Sequence, residues 1–138
     1  MWITGILALA TGVISILAYR IESRRIPQKQ ARFLNREPRS LGQIYNQYFE
    51  ESRVSRERFE YLWLKTADIL HLDSMKLLPS DRFDLELSPV EGHLIEDELA
   101  DLESFYDDEC KKSRIEKPLS NPETLGDLIT ILGRVEER

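Results

Sequence analysis

Residues 2–19 (WITGILALATGVISILAY) form eighteen consecutive uncharged, mostly apolar positions, and few folds can accommodate such a run. At ~1.5 Å rise per residue, a helix of that length reaches roughly 27 Å, close to the ~30 Å hydrocarbon core of a bilayer. A lone segment there must satisfy every amide group within itself, so it has to be helical. The run therefore reads as a single N-terminal transmembrane helix, an anchor over residues 1–19. Two alternatives compete: a buried helix of a soluble domain and a cleaved signal peptide. The latter would have Lys or Arg ahead of the apolar region and a small-x-small site behind it. Here no basic residue precedes Trp2, and the run closes on Leu17-Ala18-Tyr19-Arg20. Trp2 and Tyr19 sit at the two ends, where amphipathic rings favour the headgroup level.

Charge divides the chain at the same place. Residues 1–39 carry Arg20, Arg24, Arg25, Lys29, Arg32, Arg36 and Arg39 against Glu22 and Glu37, a net of +5, whereas residues 40–138 carry a net of −11. The positive-inside rule then puts everything from Arg20 onward in the cytoplasm, making this a single-pass protein of the inner (cytoplasmic) membrane. Arg20, Arg24, Arg25 and Lys29 lie where they can contact anionic headgroups. An acidic head is repelled by nucleic acid and attracted to basic protein partners, which excludes a DNA or RNA role. The single cysteine, Cys110, cannot form an internal disulfide, in keeping with a reducing compartment.

Residues 20–39 lack a sustained apolar face and contain Pro27 and Pro38, so they read as a basic juxtamembrane linker or a frayed helical extension of the anchor. Beyond them the pattern is helical and the fold class all-α. Ser40 caps a short amphipathic helix within residues 40–54, with Leu41, Ile44, Tyr45, Tyr48 and Phe49 on one side. A second helix starts at Ser55, with Val54 and Phe59 placed as a hydrophobic staple and Phe59, Leu62, Trp63, Thr66, Ala67 and Leu70 as its inner face. A loop from His71 to Leu87 follows, whose Leu72, Met75, Leu77, Leu78, Phe83 and Leu85 are expected to cover the core. Ser88-Pro89-Val90-Glu91 has the form of a capping box with Pro at the first helical position, opening a third helix to about Asp108. Its expected inner side is Leu94, Ile95, Leu99, Leu102 and Phe105. After Pro118 and Pro122, Thr124 starts a last helix with Leu125, Leu128, Ile129 and Leu132 facing in.

The order of these pieces resembles an acyl carrier protein domain over residues 55–138. The supporting stretches are Lys76-Leu77-Leu78-Pro79-Ser80-Asp81-Arg82-Phe83-Asp84-Leu85 in the loop, Ala100-Asp101-Leu102-Glu103-Ser104-Phe105 toward the end of the acidic helix, and Thr124-Leu125-Gly126-Asp127-Leu128-Ile129 at the opening of the last. With its anchor and basic stem, the layout also looks like membrane-anchored bacterial relatives of that family. The resemblance implies a four-helix bundle and a carrier tethering acyl groups through phosphopantetheine on the serine of an Asp-Ser-Leu motif. This sequence has no Asp-Ser-Leu. Counted back from Phe105, the family's serine position falls on Glu91, which has no hydroxyl to modify. Ser88 is the nearest hydroxyl, with a simpler use as a helix cap. The expected state is a carrier-like fold without its prosthetic group.

Along the third helix, Glu96, Asp97, Glu98, Asp101 and Glu103, with Glu91 at its start, form an acidic surface in the place where carrier domains are similar in meeting basic partners. As a solvated helix face it would need no partner. Asp107-Asp108-Glu109 lacks the alternating spacing of a calcium loop, His71 and His93 have no second ligand at metal spacing, and no Gly-rich phosphate loop exists. No catalytic apparatus is visible, so the chain reads as no enzyme. The expectation is a membrane-tethered interaction module. Its alternatives are a working acyl carrier with phosphopantetheine on Ser88, and an accessory structural subunit of a membrane complex.

Overall fold

The computed structural model describes residues 30–88 and 98–134 of the 138-residue chain. The anchor, the cations Arg20 to Lys29, the Ser88–Glu91 box, and Glu91, His93, Leu94, Ile95, Glu96 and Asp97 therefore lie wholly or partly outside the described residues. Four α-helices are seen: α1 (Leu41–Tyr48), α2 (Arg56–Ile69), α3 (Glu98–Ser113) and α4 (Leu125–Gly133), with a 3-10 turn at Ser74–Lys76. The described residues form no strand, only an isolated bridge between Arg82 and Thr124. None of these helices is long and apolar enough to cross a membrane.

Local chemistry starts each of α1, α2 and α4. Ser40 and Gln43 close a reciprocal capping box on α1, and Thr124 and Asp127 do the same on α4. The Ser55 hydroxyl accepts from the Arg58 N–H at 3.2 Å to open α2. Both long helices stop on a residue in the left-handed region, His71 at φ 55° and Arg114 at φ 53°. In each case the next residue's N–H reaches five residues back, Leu72 to the Ala67 carbonyl at 3.0 Å and Ile115 to the Cys110 carbonyl at 2.9 Å. These are Schellman closures without the usual glycine.

α2 is the centre of the core. Phe59, Leu62, Trp63, Thr66, Ala67 and Leu70 are all buried, as their spacing predicts. α4 buries Leu125, Leu128, Ile129 and Leu132 against α2 and α3. Each fully buried Leu or Phe adds ~1.5–3 kcal/mol, so this shared layer outweighs any single polar contact. Phe59 stacks at 4.9 Å on Phe49 and 5.2 Å on Trp63, while the Trp63 indole N–H donates to the Ser74 carbonyl at 2.9 Å. Gly133 packs so tightly on Val54 that an added Cβ would sit 2.6 Å from both of its γ carbons.

Four expectations need correction. Tyr48 does not join the inner side of α1; it is 44% exposed. The helix ends there, and Phe49, one residue further on, takes the core position. Met75 and Leu85 are likewise exposed; Leu72 and Leu77 cover the core as expected, joined by Leu87. α3 runs to Ser113 rather than Asp108, because Tyr106, Glu109 and Cys110 continue its buried stripe through a polar stretch. Finally, residues 30–39 pack on the head: Phe33 is 3% exposed and belongs to the core cluster. One aromatic ring and two arginines suffice for this without a periodic apolar face.

Candidate functional site

Ser88 stands where the loop leaves the described residues. Its hydroxyl donates to the Leu85 carbonyl at 2.7 Å and accepts from Arg32 Nη1 at 3.2 Å. The same guanidinium nitrogen donates to the Ser88 carbonyl at 2.6 Å and the Glu86 carbonyl at 3.3 Å. An attachment serine must present its oxygen as a free nucleophile. Here the hydroxyl proton is engaged with a carbonyl and the oxygen with a guanidinium, so Ser88 in this arrangement is held by its neighbours rather than free.

The acidic residues of α3 separate into distinct environments. Asp101, Glu103 and Asp108 are exposed and make no ion pair among the described residues. Glu98, expected on that surface, is 3% exposed and so is withdrawn from it. Asp107 pairs with Lys117, whose ammonium lies 5.8 Å from the centre of the Tyr106 ring. Glu109 is buried: it accepts from Arg58 Nη2 at 2.9 Å and from the Tyr61 hydroxyl at 2.9 Å. Arg58 also donates to the Leu132 carbonyl at 3.3 Å, so this cluster joins α2, α3 and the end of α4. The bond to Glu109 raises the Tyr61 phenol above its ordinary value. This carboxylate is structural, with its oxygens occupied.

Beside Glu103 lies a groove of about 200 Å³, walled by Leu99, Leu102, Glu103 and Tyr106 of α3, Asn121 and Pro122 of the following loop, Leu128 of α4, and Phe83. The lining is mostly apolar, with Glu103 and Asn121 as its polar members. The sequence marks Leu99, Leu102 and Leu128 as inward-facing, Phe83 as a covering loop residue and Glu103 as acidic surface, but it does not mark Tyr106, which lies four residues beyond Leu102 on the same helix face. Phe83, Asn121 and Pro122 reach the groove only through the packing of the loops.

The other chemically capable groups are engaged structurally. Burial pushes the Cys110 thiol up, away from the thiolate a nucleophile requires. His71 is an exposed helix stop. Among the described residues no group of three or more His, Cys, Asp or Glu is arranged to hold a metal ion. Compared with protein-family models, curated proteins and solved structures, the chain matches none.

Proposed function

We propose that this chain is a membrane-tethered docking module: an acyl-carrier-like helical head, held at the cytoplasmic face by residues 2–19, that binds a basic protein partner through α3 and works without a prosthetic group. The observation that carries the reading is the position of Glu103, exposed on the rim of an apolar groove and making no ion pair among the described residues. A groove of about 200 Å³ accommodates one or two apolar side chains, and the Glu103 carboxylate on its rim favours an approaching Lys or Arg side chain. Rim charges of this kind steer encounter and set its salt dependence, while the buried apolar contact supplies most of the affinity.

A photo-cross-linker at position 121 of the full chain, expressed in its host, tests the reading. The expected product is one stoichiometric partner that is lost on Glu103→Lys, with the helical content of the head unchanged. A cross-linking pattern unaltered by that reversal would refute it. Intact-mass measurement of the same protein addresses the prosthetic group. An added phosphopantetheine mass that disappears in Ser88→Ala would replace this reading with that of a working carrier.

A further inference from the structure

We propose that the head rests on the bilayer through the face by which its chain enters, with Leu34 and Leu85 set into the lipid interface; this rests on the tethered reading above. Residues 30–39 lie along the loop of residues 74–88. Arg32 donates to the backbone of residues 86 and 88, Arg36 Nη1 donates to the Lys76 carbonyl at 3.1 Å, and the Arg39 N–H donates to the Met75 carbonyl at 2.8 Å. The two segments therefore make one continuous surface. Leu34 on one and Leu85 and Met75 on the other are 66%, 58% and 41% exposed. In the same segments the equally apolar Phe33, Leu77 and Leu87 are fully withdrawn into the core, so burial was open to residues of this kind.

Two further observations select a lipid surface as the occupant. Ten residues separate Tyr19 from Gln30, and ten residues reach at most roughly 36 Å even when fully extended. If residues 2–19 are in the membrane, this face stays within that distance of it, nearer by its attachment than any other part of the head. Charge points the same way. Residues 30–39 and 74–88 together carry Arg32, Arg36, Arg39, Lys76 and Arg82 against Glu37, Asp81, Asp84 and Glu86, a net of +1, whereas α3 carries a net of −4. Asp81 is buried against Arg36, and Asp84 pairs with Arg82. An anionic leaflet repels α3 and accepts the entry face, where exposed leucines beside arginines suit the headgroup–acyl boundary.

The test uses the full chain in nanodiscs containing anionic phosphatidylglycerol, with an environment-sensitive NBD probe on Leu34→Cys, Leu85→Cys or, as control, Asp101→Cys. All three positions are exposed, so the probe leaves the core intact, and the parent chain reports any labelling of the buried Cys110. Carbonate extraction of the same membranes reads the anchor separately. The expected result is a chain that resists extraction, with probes at 34 and 85 shifted to the blue and quenched by lipid-borne nitroxide, and the probe at 101 quenched by aqueous iodide. A chain that resists extraction but exposes 34 and 85 to iodide as fully as 101 overturns the contact and leaves the anchor standing. A chain released by carbonate overturns the anchor, and this contact with it.

Discussion

Arg36 holds Asp81 with both terminal guanidinium nitrogens, at 2.7 and 2.8 Å, across 45 residues of sequence. The Asp81 side chain is 2% exposed, and its Oδ2 also accepts the Leu78 N–H at 2.8 Å. The Asp81 carbonyl accepts the Leu125 N–H at 2.9 Å, so one residue links the entering segment, the loop and the start of α4. Removing the cation strands a buried carboxylate. Arg36→Ala is expected to cost ~3–5 kcal/mol in chemical unfolding of the detergent-solubilised chain, and Arg36→Lys less, since it keeps the charge but not the two-pronged geometry. A cost under about 1 kcal/mol would mean that the pair is a surface contact.

Trp63 fills the centre of α2 with no exposure. Trp63→Ala is expected to cost ~3–5 kcal/mol and to loosen the 3-10 turn, whose Ser74 carbonyl loses its donor. Calorimetry of the variant measures the first effect, and amide exchange around Ser74–Lys76 the second.

Thr66 is fully buried on the same helix, and its hydroxyl has no hydrogen-bond partner among the described residues. Valine keeps the branched shape and removes the orphan group. Thr66→Val should raise stability by ~1 kcal/mol or more, whereas Thr66→Ala, which leaves a void, should not. A lower melting temperature for the valine variant would count against this account.

His71 and Arg114 close their helices in a conformation that disfavours any side chain by roughly 1–2 kcal/mol. Part of that cost returns on substitution by glycine, offset by the greater freedom of the unfolded chain. His71→Gly and Arg114→Gly are each expected to stabilise the head by ~0.5–1 kcal/mol, additively because the sites are separate. Thermal unfolding of the single and double variants decides the matter.

Glu86 accepts the Arg82 N–H at 2.9 Å, and backbone hydrogen bonds of this kind hold its carboxyl below the ordinary value of 4.5. A carboxylate lowered in the folded state stabilises the fold above its unfolded pKa, and that contribution is lost as pH falls through the folded value. Stability should therefore decline on acidification below about pH 4.5, with a shallower slope in Glu86→Gln. Parallel slopes for the two proteins would remove Glu86 from the acid response.

What the sequence by itself determined is what neighbours along the chain decide. The caps at Ser40, Ser55 and Thr124, the all-helical character, and the inner faces of α2 and α4 follow from spacings of three and four residues, over which a helix is its own context. The tertiary structure decided the rest. It alone drew Phe33, Arg32 and Arg36 onto a loop some fifty residues away, where a single buried ring and two cations replace a periodic face. It carried α3 through Glu109 and Cys110, because Arg58 and Tyr61 of another helix pay the cost of burying a carboxylate that composition would leave in water. Exposure of Met75 and Leu85 and burial of Leu87 belong to the same class: in a loop without a repeat, only the shape of the surrounding core selects which side chains it takes in.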